Sequence, residues 1–104
     1  MPETIALHTR LKPGAADEYE AAHAAIPREL VTALRAAGVV NWRIWRSGED
    51  LFHLVDVEDY QAMRHALAEH PANVAWQERM SALLAVEDDY SGNDQGIPKV
   101  WELP

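Results

Sequence analysis

The stretch VVNWRIWRSGEDLFHLVDV, residues 39–57, constrains the fold more than any other part of the chain. Val39 to Arg46 and Leu51 to Val57 are rich in β-branched and aromatic residues, which suit extended backbone. Between them, Ser47-Gly48-Glu49-Asp50 has the chemistry of a tight turn. Two such runs so closely joined predict an antiparallel hairpin.

The flanking segments define what the hairpin joins. Thr4 to Leu11 alternates Ile5, Leu7, Thr9 and Leu11 against Thr4, Ala6, His8 and Arg10, a strand pattern that Lys12-Pro13-Gly14 breaks. Residues 15–37 are rich in alanine, glutamate and leucine, and Gly38 stands where a helix C-cap glycine would. After the hairpin, helix is predicted from about Asp59 to Glu69. Pro71 can open a further helix reaching about Leu84. Asp88 to Gly96 reads as a polar loop and Lys99 to Leu103 as a short last strand. The order is β-α-β-β-α-β with the second helical region broken in two. That predicts an α+β, ferredoxin-like domain with an antiparallel sheet, one domain over residues 1–104. Helices cover one face of such a sheet. Leu7, Phe52 and Val55 are expected to need cover, and a second copy of the chain would supply it, so a homodimer is predicted.

Charge and composition narrow the partners. A formal net charge of -8 argues against nucleic acid and anionic membrane surfaces, which require basic patches. A neutral small molecule remains compatible. The absence of cysteine removes disulfide and thiol chemistry. No apolar run is long enough for a membrane span and the start shows no signal-peptide pattern, so a cytoplasmic protein is expected.

Candidate chemistry centres on EYEAAH, residues 18–23. Tyr19 and His23 are four residues apart and stack on one helix face. They lie on the stripe Tyr19, Ala22, Ile26, Leu30, Ala33, Leu34, Ala37. Pro27 sits within that pattern, where its ring clashes with the carbonyl of residue 23, so the helix should kink or restart there. A histidine on such a face is either a satisfied core residue or a group that handles protons. The spacing leaves both open. Four tryptophans add aromatic surface. Trp42 shares a strand face with Ile44 and Arg46, while Asn41, Arg43 and Trp45 share the other. Trp76 lies four residues before Met80, and Trp101 falls in the predicted last strand. Such residues fill cores. With Tyr19 and Tyr60 they could equally wall a pocket whose aromatic faces suit the C–H surfaces of a sugar. His65 and His70 are five apart and there is no HExxH, so no metal site is expected. His8 and His53 are either surface or core residues. The sequence has no glycine-rich phosphate loop and no GxSxG.

Taken in order, these residues resemble the L-rhamnose mutarotase family. The likeness runs through Tyr19-x-x-x-His23 with Ile26 and Glu29-Leu30, Asn41-Trp42-x-Ile44 after Gly38, Trp76-x-x-x-Met80, and the ending Val100-Trp101-Glu102-Leu103-Pro104. It spans essentially the whole chain. The resemblance implies a homodimeric α+β barrel of ferredoxin-like subunits. It also implies cofactor-free interconversion of the α and β anomers of a 6-deoxy-L-hexose. His23 would then be the acid catalyst and Tyr19 a contact to the sugar, with Trp42, Trp76 and Trp101 as an apolar wall. Three positions depart from the family's common pattern. Pro27 stands in place of tryptophan, Trp42 in place of tyrosine, and Gln77 in place of the second of two adjacent tryptophans. All three fall on the pocket, so L-fucose is as admissible a substrate as L-rhamnose. Two other classes share the architecture: cofactor-poor or haem-binding monooxygenases, and non-catalytic dimers that bind a small ligand.

Overall fold

In the computed structural model, which describes residues 2–86 and 96–104, the chain runs β1 (Glu3–Leu11), α1 (Ala16–His23), α2 (Arg28–Ala36), β2 (Val39–Ser47), β3 (Asp50–Val57), α3 (Tyr60–Ala68), α4 (Pro71–Ser81) and β4 (Leu84–Val86). The four strands form one antiparallel sheet in the order β2-β3-β1-β4, the ferredoxin-like arrangement. The hairpin forms as expected, with Ser47 opposite Asp50 and only Gly48-Glu49 between the strands. Gly38 has φ +95°, a left-handed conformation that ends α2 and turns the chain into β2.

Strand alternation decides which side chains meet the helices. Leu7, Thr9 and Leu11 of β1 and Leu51, His53, Val55 and Val57 of β3 are all buried on the helix-covered face. Two apolar clusters form there. One gathers Leu11, Tyr19, Leu30, Leu51, Trp76, Met80 and Leu84. The other gathers Leu7, Ala33, Val55, Val57, Tyr60, Met63 and Leu67. The polar pair Thr9 and His53 lies between the two along both strands.

The predicted long helix is two helices. α1 ends at His23 and α2 starts at Arg28, with Pro27 extended at its N-cap (ψ 137°) and its carbonyl accepting from the amides of Leu30 and Val31. Proline cannot donate to residue 23, so the helix restarts rather than bends. The Asp59 carboxylate caps α3 by accepting from the Ala62 amide at 3.0 Å, and Pro71 opens α4.

Three expectations are corrected. α4 stops at Ser81, short of Leu84, and Leu84–Val86 leave it to pair with the β1 edge at Arg10 and Leu11. The last strand predicted at Lys99–Leu103 does not form. Ile97 donates a backbone bond to Ala6, 2.7 Å, and among the described residues no further backbone bond continues it into a ladder. Leu7 and Val55 need no second copy, because the chain's own helices cover them. The uncovered face instead carries Phe52 and Trp45 beside His8, Arg43 and Asp56. The predicted polar loop at Asp88–Gly96 lies, Gly96 apart, outside the described residues. Among the described residues no helix is long and apolar enough to cross a membrane.

Candidate active site

A cavity of about 270 Å³ opens between the covered face of the sheet and the helices α1, α2 and α4. Its size sits just under the usual range for small-molecule sites, roughly 300–1,000 Å³. Leu30, Leu34, Ile44 and Trp76 supply apolar surface, and polar groups reach it from α1, from the sheet and from α4.

From α1 come Tyr19 and His23. Their rings stack with centroids 4.1 Å apart, and His23 meets Trp76 edge-on at 5.1 Å. His23 Nδ1 lies 2.9 Å from the carbonyl oxygen of Tyr19, one turn back. A carbonyl can only accept, so the proton is on Nδ1 and Nε2 carries the lone pair. Burial pushes the His23 pKa below 6.5, against the opposing pull of that backbone bond, and the Arg79 cation adds to the lowering. His23 is therefore neutral at pH 7. It sits at the last position of α1 because Pro27 ends the helix there.

From the sheet come Thr9, Trp42 and His53. The Trp42 indole N–H donates to His53 Nδ1 at 3.1 Å, and His53 Nε2 meets the Thr9 hydroxyl at 2.9 Å. Trp42 is steadied in turn by the buried Arg64, whose guanidinium lies 5.9 Å from the indole centre and whose Nε donates to the Tyr60 hydroxyl at 2.8 Å. From α4 come Asn73 and Gln77: Gln77 Nε2 donates a hydrogen bond to Asn73 Oδ1 at 3.2 Å, and Asn73 Nδ2 donates to the Leu67 carbonyl at 3.0 Å. Arg79 stacks on the outer side of the same tryptophan, 5.2 Å from the Trp76 centre. No cluster of potential metal ligands occurs among the described residues.

The structure thus brings Tyr19, His23, Trp42 and Trp76 to one cavity. Trp101 is not among its lining. It follows Pro98 in irregular backbone and is 71% exposed. Thr9, His53 and Asn73 line the cavity although no motif marked them. Strand parity puts Thr9 with Leu7 and Leu11, and His53 with Leu51 and Val55, but only the structure shows that this is the face the helices cover. His8, by contrast, pairs with Asp50 at 2.9 Å on the uncovered face.

A ferredoxin-like α+β domain with a small cavity on the helix side of its sheet, walled by aromatic side chains and holding a neutral histidine of fixed tautomer, defines the class of fold and site. Within it, the chain belongs to the L-rhamnose mutarotase family, whose model matches residues 4–103. It is 41% identical over 104 residues to an L-rhamnose mutarotase of Burkholderia ambifaria, covering 97% of this chain and 98% of the relative. An L-rhamnose mutarotase of Acidiphilium cryptum is 33% identical over 104 residues, covering 98% and 99%. The fold matches the crystal structure of an L-rhamnose mutarotase from Formosa agariphila with a TM-score of 0.77 at 22% identity, over 98% of this chain and 99% of that one. It also matches tetracenomycin F2 cyclase from Streptomyces glaucescens with a TM-score of 0.66 at 20% identity, over 98% and 99%. At these identities the two structures speak to the fold alone.

Proposed function

We propose that this chain is a mutarotase that exchanges the α and β anomers of a 6-deoxy-L-hexose, L-rhamnose or L-fucose, without a cofactor. The observation that carries the reading is the tautomer of His23. Its Nδ1–H is committed to the Tyr19 carbonyl, and Nε2 makes no hydrogen bond among the described residues. A neutral imidazole with a free lone pair in a half-dry cavity is a proton acceptor at neutral pH. Membership in the L-rhamnose mutarotase family supports the same substrate class.

The cycle opens with His23 as base rather than the acid that the family likeness implies. Nε2 takes the proton of the anomeric hydroxyl. The C1–O5 bond breaks as the C1 carbonyl forms, and O5 takes a proton from solvent. After rotation about C1–C2, O5 adds to the other face of C1 and returns its proton to solvent. The new O1 recovers the proton held by His23. Nothing is consumed and no redox step occurs. Tyr19 and Trp76 hold His23 in place and, with Trp42, wall the sugar's C–H faces. One positioned acid–base group typically contributes ~100–10,000-fold, enough for a reaction that already proceeds in water.

The uncovered sheet face, with Phe52 and Trp45 exposed, supports a homodimer joined there. The test of function is saturation-transfer NMR of anomer exchange over a panel of 6-deoxyhexoses and hexoses. Acceleration above buffer is expected for L-rhamnose or L-fucose. A folded protein that accelerates no sugar contradicts the proposal.

A further inference from the structure

We infer that His53 orients the Thr9 hydroxyl as a hydrogen-bond donor to an oxygen of the bound sugar, making Thr9 a specificity-determining contact on the sheet side of the pocket. This rests on the mutarotase reading and adds a second polar station to it, on a different element from His23.

Indole N–H only donates, so the 3.1 Å contact from Trp42 Nε1 fixes a lone pair on His53 Nδ1. A neutral imidazole then carries its one proton on Nε2, 2.9 Å from Thr9 Oγ1. The Thr9 oxygen must accept it, and the hydroxyl keeps its own proton to give. His53 is its one hydrogen-bond partner among the described residues. Thr9 is 2% exposed, yet it lines the cavity. A donor so far from bulk water is costly to leave unmatched, and a ligand oxygen in the cavity matches it.

The placement is set by the sheet. Leu7 pairs with His53 and Thr9 with Leu51, so the two polar residues are diagonal neighbours on the covered face, in the gap between the apolar clusters. Protonating His53 would set Nδ1–H against the Trp42 N–H, two donors face to face. With the indole N–H donating to Nδ1, His53 is placed to position Thr9, while proton transfer falls to His23. A sugar lacking an oxygen at this point leaves the donor unmatched. A site built around such a donor discriminates by hydroxyl pattern.

Four variants and one spectrum test this on the full chain. Thr9→Val keeps the shape and loses the hydroxyl. Thr9→Ser keeps the hydroxyl. His53→Gln keeps an acceptor for Trp42 and a donor for Thr9, whereas His53→Leu keeps neither. With the sugar that the wild type turns over, Thr9→Val and His53→Leu are expected to raise KM about threefold to tenfold, the worth of one neutral hydrogen bond, with a smaller change in kcat. Thr9→Ser and His53→Gln should stay within about twofold of wild type, as recovery of a single neutral hydrogen bond requires. The ¹⁵N imidazole shifts of the ligand-free wild type should report the Nε2–H tautomer of His53. An Nδ1–H tautomer overturns the inference even if a variant fails to fold. So does a wild-type KM in Thr9→Val, or a His53→Gln no better than His53→Leu. A wild type without exchange activity on any sugar would instead remove the mutarotase reading beneath both proposals.

Discussion

At the scale of the residue, the proposed chemistry depends on where the protons sit. Burial holds His23 below its ordinary pKa, and Arg79 adds a smaller push in the same direction. The base must be neutral to act, so kcat/KM should rise with pH through a midpoint below 6.5 and level off above it. A rate that falls as His23 deprotonates would make it the acid instead. Replacing Arg79 with glutamine removes the nearby cation and should move that midpoint up, towards the ordinary value. The stability linkage has a definite sign. The folded pKa lies below the unfolded one, so the unfolded chain binds the proton more tightly. This contribution is complete above about pH 6.5 and is lost as pH falls through the folded pKa. Denaturant midpoints should drop on that acid limb in wild type more than in His23→Asn. The four-residue spacing of Tyr19 and His23 was legible in sequence because helical periodicity makes neighbours of such residues. The tautomer was not, since it depends on which lone pair the folded backbone presents.

At the scale of the element, alternation and punctuation carried most of the information. Pro27 divides α1 from α2 as its chemistry requires, and Gly48 closes the hairpin. β4 was hidden because Leu83 and Leu84 continue the apolar pattern of α4, and a strand of 3 residues is too short to show a period. The tail misled for the opposite reason. Val100, Trp101 and Leu103 read as a strand, but among the described residues no backbone bond follows that of Ile97, and all three side chains stay exposed. Gly96 makes the Ile97 contact with the β1 edge possible. It has φ +77°, and a Cβ there would stand 2.6 Å from Ile5 Cγ2 and 3.0 Å from the Ala6 carbonyl oxygen. Gly96→Ala should therefore cost at least the ~1–2 kcal/mol of a left-handed alanine. Urea unfolding at unchanged m-value would measure it, and an unshifted midpoint would show that the tail does not hold to β1.

At the scale of the whole molecule, helices cover one sheet face, and among the described residues nothing covers the other. The open face carries Phe52 at 44% and Trp45 at 53% exposure, ringed by Thr4, Asp56, Arg43, His8 and Asp50. An apolar centre with a polar rim suits a second copy of the chain. Light scattering should give twice the 11.7 kDa chain mass, and Phe52→Asp should give a folded monomer. A wild type that stays monomeric at micromolar concentration would refute the dimer and leave the pocket untouched. The order of element types was legible in sequence, but not the residues of the last strand, nor which sheet face the helices cover. That followed only once β1 and β3 were set in register. The central claim is that the pocket exchanges anomers through His23. Its most direct test is saturation-transfer NMR of the α and β signals of the sugar with wild type and with His23→Asn, each shown to be folded. Asparagine keeps a polar side chain of similar reach but cannot take up a proton near neutral pH. Exchange should fall ~100-fold or more while sugar binding persists. A well-folded His23→Asn protein with undiminished exchange would contradict the account.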